Sequence, residues 1–539
     1  MSTVALPRAT PVEARAPDNK WLVAVSISFG AIMATIDLSI VNVALPQIRG
    51  SIGASLDEMA AIATSFAIAQ VIVMPLTAFL GRFFGQKRVY LFCLGLFVAG
   101  SALCGMARSL VQLVVARSIQ GLGGGALMPT QQAILRQTFP AREQGMAMAV
   151  FTMAVLVGPA LGPTLGGWIV DNWSWPWIFY INLPVGVLGV LMVSRFVHEP
   201  EDIRAANRAA AEQMRSNMDW LGIAFMSVGL ATLQYVLEEG TRNDWFESPA
   251  ITVATLAAVV SIGGFLIREL RVPFPAVNLR LFKDSVFSSA TLIGGVMFAI
   301  LMANMFLLPV FMQELLGFTA LQSGLALMPR SLMMIVATPI VGRVYNHVSP
   351  RVMVALGVIA VALGSWQMAS FTLGTSVGGI TSAMIVQGIG FSMLFVPLTT
   401  VALSHVRRHQ ISDASGLNSV VRQFGGSVGL AVFTTLLTRF VVEARAGLIQ
   451  HLDPGRPEVM QRLAMIRNAF MARGMNPASA RDAALQALSG ITSRQAQVIG
   501  FDRSFALGAI LMLALLPLVL FLKHPEQAPE EREAAPVEP

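Results

Sequence analysis

An aspartate inside the first apolar stretch of the chain has the residue type and position that most directly suggest chemistry. Asp37 lies about sixteen residues into that stretch, roughly 24 Å along a helix. Burial away from water favours the protonated form of a carboxyl group, so Asp37 is a candidate proton carrier. The alternative is a carboxylate that is held permanently by a hydrogen bond or an ion pair.

An arginine in the fourth apolar stretch is the second candidate. Gln120 and Gly121 follow Arg117 at i+3 and i+4, on the same helix face. An arginine stays charged and does not carry protons readily, but its field changes the protonation of a nearby carboxyl group. Asp37 and Arg117 are therefore predicted to act together in proton coupling. A purely structural tether between helices is the alternative for Arg117.

Two further arginines lie at membrane depth in the second part of the chain. Arg330 is about eight residues, or 12 Å, from the outer end of the tenth span, and Arg422 is about nine residues into the thirteenth. Such groups usually face a cavity, although a structural role remains open for each. If they line a cavity, they favour amphipathic neutral or anionic compounds over dications, because a cationic wall repels cations. The predicted substrate cavity comprises Asn42, Gln120, Asn304, Arg330, Gln387 and Arg422.

Enzymatic chemistry is poorly supported by the sequence. The six histidines fall at span ends or in loops and show no metal-ligand spacing. No GxxxxGK[ST] loop occurs, so ATP is not expected to be the direct energy source. Cys93 and Cys104 lie about 16 Å apart on one predicted helix and cannot form a disulfide with each other. The prediction is a gradient-driven transporter with no enzymatic activity, cofactor or metal.

Composition assigns the chain to a bilayer. Of its 539 residues 55% are hydrophobic and 12% are charged, and the mean hydropathy is +0.66. The net charge of +7 falls mostly in short connectors, which indicates membrane topology rather than nucleic-acid binding. Fourteen membrane-spanning helices are predicted near residues 21–46, 57–79, 88–107, 109–134, 145–169, 177–197, 219–237, 249–267, 287–311, 322–342, 352–371, 376–404, 413–438 and 502–522.

The positions of the basic residues predict the orientation. Arg82, Arg136 and Arg343 are examples of basic residues that occupy alternate connectors, and the opposite connectors carry few, so both termini are expected in the cytoplasm. One connector, 439–501, is long, charged and expected outside the cytoplasm. Helical spacing of its apolar residues predicts short amphipathic helices at 457–473 and 477–488. A solvated loop is favoured there over a partner-docking surface.

A run of glycines and prolines interrupts the fifth span. Gly158, Gly162 and Gly166 recur every fourth residue and form one bare stripe on a helix, which lets a neighbouring backbone come close. Pro159 and Pro163 are expected to bend the axis. The stretch predicts a helix that packs closely and pivots.

Several strings are similar to known motifs. The run Gly158-Pro159-x-x-Gly162-Pro163-x-x-Gly166-Gly167 resembles the antiporter motif of a fifth span, and Arg117-x-x-Gln120-Gly121 resembles a fourth-span motif tied to proton coupling. The stretch 37–46 is similar to a first-span signature, with Ser39 where threonine is usual. The stretch 175–184 resembles the lead into a sixth span, with Pro176 where arginine is more frequent.

The family that carries these motifs is the major facilitator superfamily, and the chain most resembles its fourteen-span drug:proton antiporters of the EmrB/QacA type, over about residues 21–522. One motif departs from the family pattern. The loop between spans two and three usually reads GxLaDRxGRK, and here Arg82 replaces the expected aspartate. In the family this loop forms a charge lock that holds the outward-facing state, so Gly81, Arg82, Gly85 and Lys87 are the candidate conformational residues.

The resemblance implies an all-α membrane protein with two six-helix bundles and two inserted helices. The expected units are a cytoplasmic tail 1–19, a bundle 20–198, a linker with the inserted helices 199–285, a bundle 286–523 and a tail 524–539. The implied function is proton-coupled multidrug efflux by alternating access, with antibiotic resistance as its consequence. Export of an endogenous lipid, fatty acid or siderophore is the alternative, and a non-transporting sensor is disfavoured. A periplasmic adaptor and an outer-membrane channel are implied partners in the inner membrane of a bacterium with two membranes.

Overall fold

The computed structural model describes residues 19–199, 204, 219–272, 275–407, 410–453 and 455–522. The predicted terminal tails, apart from Asn19, lie outside these residues. The helices are α1 (Lys20–Ile52), α2 (Leu56–Phe84), α3 (Gln86–Met106), α4 (Leu110–Thr138), α5 (Gln144–Asn172), α6 (Trp177–Tyr180), α7 (Asn182–Phe196), α8 (Trp220–Glu239), α9 (Pro249–Arg271), α10 (Ser285–Val310), α11 (Ala320–Val344), α12 (Pro350–Met368), α13 (Val377–Ser404), α14 (Ile411–Gln450), α15 (Pro457–Ala472), α16 (Pro477–Leu513) and α17 (Leu516–Val519).

Local sequence explains where several helices begin. Ser55 and Glu58 form a capping box at the start of α2, and Thr319 and Gln322 form another at α11. Asp284 accepts hydrogen bonds from the backbone N–H groups of Val286 and Phe287, the second and third residues of α10. These caps satisfy donors that lie at the ends of apolar helices, where a bilayer offers few partners.

The predicted number of spans is confirmed. Within the described residues, fourteen helices are long and apolar enough to cross a membrane. The sixth span is divided into α6 and α7 at Ile181, and the ninth ends in a single π-helical turn, Phe311–Leu315. Large apolar side chains such as Leu256 and Val259 of α9 remain exposed, as expected for a surface that faces lipid.

The connector 439–501 differs from the prediction. The thirteenth span does not end near residue 438, because α14 continues to Gln450. The first predicted amphipathic helix is confirmed as α15. The second is not a separate short helix, since α16 runs without interruption from Pro477 to Leu513 and includes the last span. Between 489 and 501 the sequence has two glycines and no proline, and the helix continues through both glycines.

The helices form two six-helix halves that share a packing pattern. In the first half α1 packs on α5 and α2 packs on α4, and in the second half α10 packs on α14 and α11 packs on α13. The halves meet where α2 contacts α14 and where α5 contacts α11. The inserted helices α8 and α9 pack on each other, and α8 also contacts α2 and α14.

Candidate functional site

The predicted pair in the first half forms a buried ion pair. Arg117 Nη1 donates to Asp37 Oδ2 over 2.5 Å, and both side chains are at most 2% exposed. The Arg117 guanidinium lies 4.1 Å from the centroid of the Phe66 ring, and its Nε donates to the Ile62 carbonyl over 3.4 Å. Residues of α1, α2 and α4 therefore meet around one neutralised pair of charges.

Amide and hydroxyl groups surround this pair. Gln120 accepts from Arg117 Nη1 over 2.7 Å and donates to Asp37 Oδ1 over 2.8 Å. Asn182 Nδ2 reaches Asp37 Oδ1 over 3.3 Å and Ser101 Oγ over 3.0 Å. Ser101 in turn donates to the Phe179 carbonyl over 2.9 Å. The Asp37 carboxylate thus accepts hydrogen bonds from one cation and two amides.

Sequence reasoning missed two members of this network. Neither Asn182 nor Ser101 was predicted, although Asn182 lies in the stretch 175–184 that resembles the lead into the sixth span. The break at Ile181 places Asn182 at the start of α7, within hydrogen-bonding distance of Asp37. A polar residue that begins a span after a helix break was the available signal.

The glycine stripe of α5 packs on the helix that carries Asp37. A Cβ added at Gly158 would collide with Thr35, one at Gly162 with Ser39 and one at Gly166 with Ile40. At Gly167 no atom of the described residues lies within 4 Å of such a Cβ. The stripe therefore lets α5 approach the backbone of α1 on either side of the Asp37 position.

Arg422 of the second half has a different environment. It is 5% exposed, and its Nη2 donates to Thr399 Oγ1 over 2.8 Å. Its guanidinium carbon lies 5.6 Å from the Phe298 ring and 5.7 Å from the Phe395 ring. In the described part of the chain no carboxylate pairs with Arg422, and its Nε has no hydrogen-bond partner.

The other predicted cavity residues are dispersed. Arg330 is 3% exposed, and within the described ranges its Nη1 has no partner. Gln387 donates to Ser365 Oγ over 2.9 Å, and Asn304 is 3% exposed. Asn42 is exposed on α1. The structure therefore joins Gln120 to Asp37 and Arg117, and it does not bring Arg330 or Gln387 into that network.

The loop between α2 and α3 forms an ion pair between the two halves. Arg82 Nη1 lies 2.8 Å and 3.0 Å from the two carboxylate oxygens of Asp413 at the start of α14. Gln86 Nε2 donates to Ser412 Oγ over 3.4 Å beside it. Gly85 adopts φ +84°, where a side chain would be strained, and Lys87 binds the Ser194 carbonyl within the first half. Asp413 was not predicted.

A second missed group lies on the inserted helix α8. Glu239 accepts from Thr64 of α2 over 3.1 Å, and Gln234 donates to Ser427 of α14 over 2.9 Å. Gln234 also donates to Glu238 over 2.7 Å. One inserted helix thereby has polar contacts with both halves. Among the described residues no group of three or more metal-ligating side chains is present.

Two related helical halves around buried charges, with an ion pair across their junction, define a membrane transporter of the alternating-access class. The chain belongs to the Major Facilitator Superfamily, whose family model matches residues 27–430. It is a transporter and not an enzyme, and it is an integral membrane protein.

Named relatives cover nearly the whole chain. The multidrug export protein EmrB of Haemophilus influenzae is 33% identical over 506 residues, which is 94% of this chain and 96% of EmrB. The fatty acid resistance protein FarB of Neisseria gonorrhoeae is 32% identical over 503 residues, or 93% and 96%. The human organic anion transporter MFSD10 has the same fold, with a TM-score of 0.61 and 15% identity over 93% of this chain and 99% of that chain.

Proposed function

We propose that this protein is a proton-coupled antiporter that exports hydrophobic or amphipathic compounds by alternating access. The single observation that carries the proposal is the Asp37–Arg117 pair. Among the described residues it is the one buried carboxylate–guanidinium ion pair that lies within a single half. The relatives named for multidrug export and fatty acid resistance support export as the direction.

Protonation of Asp37 is the coupling event in this proposal. A neutral Asp37 no longer pairs with Arg117, which keeps its contacts with Gln120 and Phe66. The change lies on α1 at the point where α5 packs most closely, so loss of the ion pair alters the contact between these two helices. Asp37 binds a proton from outside and releases it inside, while cargo moves outward.

The contacts between the halves support a conformation that is closed on one side of the membrane. With both termini in the cytoplasm, the Arg82–Asp413 pair lies on the cytoplasmic side. Gly342 of α11 also packs against Gly145 of α5, near the same end. In this orientation the structure is closed toward the cytoplasm, and the units 20–198 and 286–523 are the parts that rock against each other.

A second candidate function is the export of an endogenous lipid, fatty acid or siderophore, with drugs as incidental cargo. The relative named for fatty acid resistance favours it. Substrate profiling separates the two, because an endogenous exporter accepts a narrow set of compounds. A non-transporting sensor would retain its phenotype in Asp37→Asn.

Partners and location complete the proposal. We place the chain in the inner membrane of a bacterium, where a periplasmic adaptor and an outer-membrane channel would continue the export path. The helical extension of α14 beyond the membrane, with α15 and the first part of α16, is the surface offered to such an adaptor. Many of its apolar side chains, including Met460 and Met465, are exposed.

The experiment is substrate-induced proton release in proteoliposomes with an imposed pH gradient. Hydrophobic anions, neutral compounds and monocations are tested on the wild type and on Asp37→Asn. Loss of gradient-driven flux by about 100-fold or more is expected, because the variant cannot exchange a proton. Asp171→Asn is the matched control, since Asp171 is exposed at the end of α5. Proton-coupled flux that persists in Asp37→Asn would remove Asp37 from this role.

A further inference from the structure

Arg422 is held in an environment that can orient it but does not neutralise it. The Thr399 hydroxyl accepts from Arg422 Nη2 and donates its single O–H to the Phe395 carbonyl over 2.6 Å. The rings of Phe298 and Phe395 offer weak attraction to the cation. In the described residues no carboxylate pairs with this arginine.

Unused polar atoms lie on the helix faces around this guanidinium. Arg422 Nε, both amide atoms of Asn418 and the Thr291 hydroxyl have no hydrogen-bond partner among the described residues, and Asn418 and Thr291 are each 1% exposed. Asn418 lies one turn before Arg422 on α14. A Cβ built on Gly294 would lie 3.4 Å from Arg422 Nε, and Thr291 is one turn before Gly294 on α10.

Buried donors of this kind indicate a ligand. An uncompensated cation and unpaired donors each raise the free energy of the empty site, and an anion that accepts from Arg422 Nε, Asn418 Nδ2 and the Thr291 hydroxyl lowers both penalties together. A carboxylate suits the donors, because its two oxygens accept several hydrogen bonds from guanidinium, amide and hydroxyl groups. One negative charge balances Arg422, and the two phenylalanine rings provide an apolar surface for a hydrophobic tail.

We propose that Arg422, Asn418 and Thr291 bind the head group of an amphipathic monoanion, a hydrophobic carboxylate, whose tail packs along Phe298 and Phe395. This inference rests on the proposed export function, because it names the class of cargo. Thr399 is a positioning residue that holds the guanidinium toward the head group.

The site lies near the junction of the two halves. Asp413 precedes Arg422 by nine residues on α14, roughly 13 Å along the helix. Separation of Arg82 from Asp413 would open this depth to the cytoplasm, where exported cargo is loaded. In the closed arrangement the site is occluded, and the Arg422 side chain rests on Thr399.

The test compares three ligands that share a twelve-carbon chain and differ in head group. Purified full-length protein in lipid nanodiscs is incubated with radiolabelled dodecanoate, and unlabelled dodecanoate, dodecanol or dodecyltrimethylammonium competes. For the wild type we expect dodecanoate to compete at least about tenfold better than the other two, as charge-assisted hydrogen bonds predict. Equal competition by all three, or no specific binding of dodecanoate, overturns the proposal.

Substitutions test whether the preference for a carboxylate head group depends on Arg422 and Thr399. Arg422→Gln is expected to remove the tenfold preference for the carboxylate, and Thr399→Val to reduce it about threefold. Thr400→Val is the matched control, because the Thr400 hydroxyl is also buried and bonded to a carbonyl of its own helix, Val396, without contacting Arg422. A preference that survives in both Arg422→Gln and Thr399→Val overturns the site.

The readout keeps the two proposals apart. Head-group preference is measured at equilibrium without a pH gradient, so it does not depend on proton coupling. Preference without gradient-driven flux would leave the anion site in place and contradict the antiporter, and flux without preference would do the reverse. If Arg422→Gln elutes as aggregate in size-exclusion chromatography, the comparison of Thr399→Val with Thr400→Val still decides the outcome.

Discussion

In the first half of the molecule Asp37 and Arg117 neutralise each other within a ring of hydrogen-bonding groups, whereas the second half buries Arg330 and Arg422 with no paired carboxylate in the described part of the chain. The halves nevertheless share their helix packing. In each, a helix with spaced glycines lies against the first helix of its half, as Gly162 does on α1 and Gly429 does on α10.

The difference separates two tasks. In the proposed function the charge of the first half is switched within the protein, because a proton on Asp37 would remove its ion pair with Arg117. The second half contains arginines that stay charged and that pair with no carboxylate of the described residues. From this contrast we propose that the first half exchanges the proton and the second half recognises the cargo.

The largest predicted effect comes from removing one buried arginine from each half. Arg117→Met leaves Asp37 buried without its cation and should lower the free energy of unfolding by about 3–5 kcal/mol. Arg422→Met leaves no carboxylate unpaired, so its change should stay within about 1 kcal/mol. Denaturant unfolding of both variants in the same detergent at pH 8 measures the two values.

A second substitution controls this prediction. Asp37→Asn added to Arg117→Met should recover part of the loss, because the uncompensated carboxylate is gone. Equal losses in Arg117→Met and Arg422→Met would show that the two halves do not differ in how they balance their buried arginines.

A smaller effect is expected where the halves meet. Arg82→Asp places a carboxylate against Asp413, which costs on the order of several kcal/mol and should shift the population toward separation of the halves at that end. Adding Asp413→Arg restores an opposite-charge pair. Double electron–electron resonance measures the separation as the distance between spin labels at the exposed positions 84 and 347. The labels are introduced in a background without Cys93 and Cys104.

Lys87→Asp is the control for this reversal, since Lys87 binds the Ser194 carbonyl of its own half. It should leave the distance distribution unchanged. An unchanged distribution in Arg82→Asp would contradict a locking role for the ion pair.

The smallest predicted effect tests what the halves have in common. Gly162→Ala and Gly429→Ala should each lower stability by about 1–3 kcal/mol, because an added Cβ meets Ser39 in one case and the Ala299 backbone in the other. Gly167→Ala should be neutral or slightly stabilising, since it meets nothing. Thermal unfolding of the three variants in detergent is sufficient. A penalty confined to one half would limit the shared packing to that half.

Local properties of the sequence predicted the spans and the glycine contacts. Apolar length fixes how many helices cross a bilayer, and the four-residue spacing of Gly158, Gly162 and Gly166 fixes that they share a face. The nearness of Asp37 and Arg117 was also predicted, because each is a rare charge within a span. The ends of α14 and α16 were not, since hydropathy falls outside the membrane while helical geometry continues.

Two other pairings between residues distant in sequence were not predicted. Arg82 and Asp413 are 331 positions apart, and Asp37 and Asn182 are 145 apart. Nothing in the sequence around Asp413 or Asn182 indicates which helix that residue contacts, because the contact depends on how complete helices pack. The loop motif identified Arg82 as unusual, and the structure shows that Asp413 is the carboxylate with which it forms an ion pair.

At the Arg82–Asp413 contact the first half carries the positive charge and the second half the negative charge, and this limits which chimeras of the two halves can form. The family motif that the stretch 78–87 resembles has aspartate at the position of Arg82. A chimera that joins a first half with that motif to this second half would set a carboxylate against Asp413, and the two would repel. The halves of this transporter are therefore a matched pair, and they can be exchanged with those of relatives only when both sides of the contact change together.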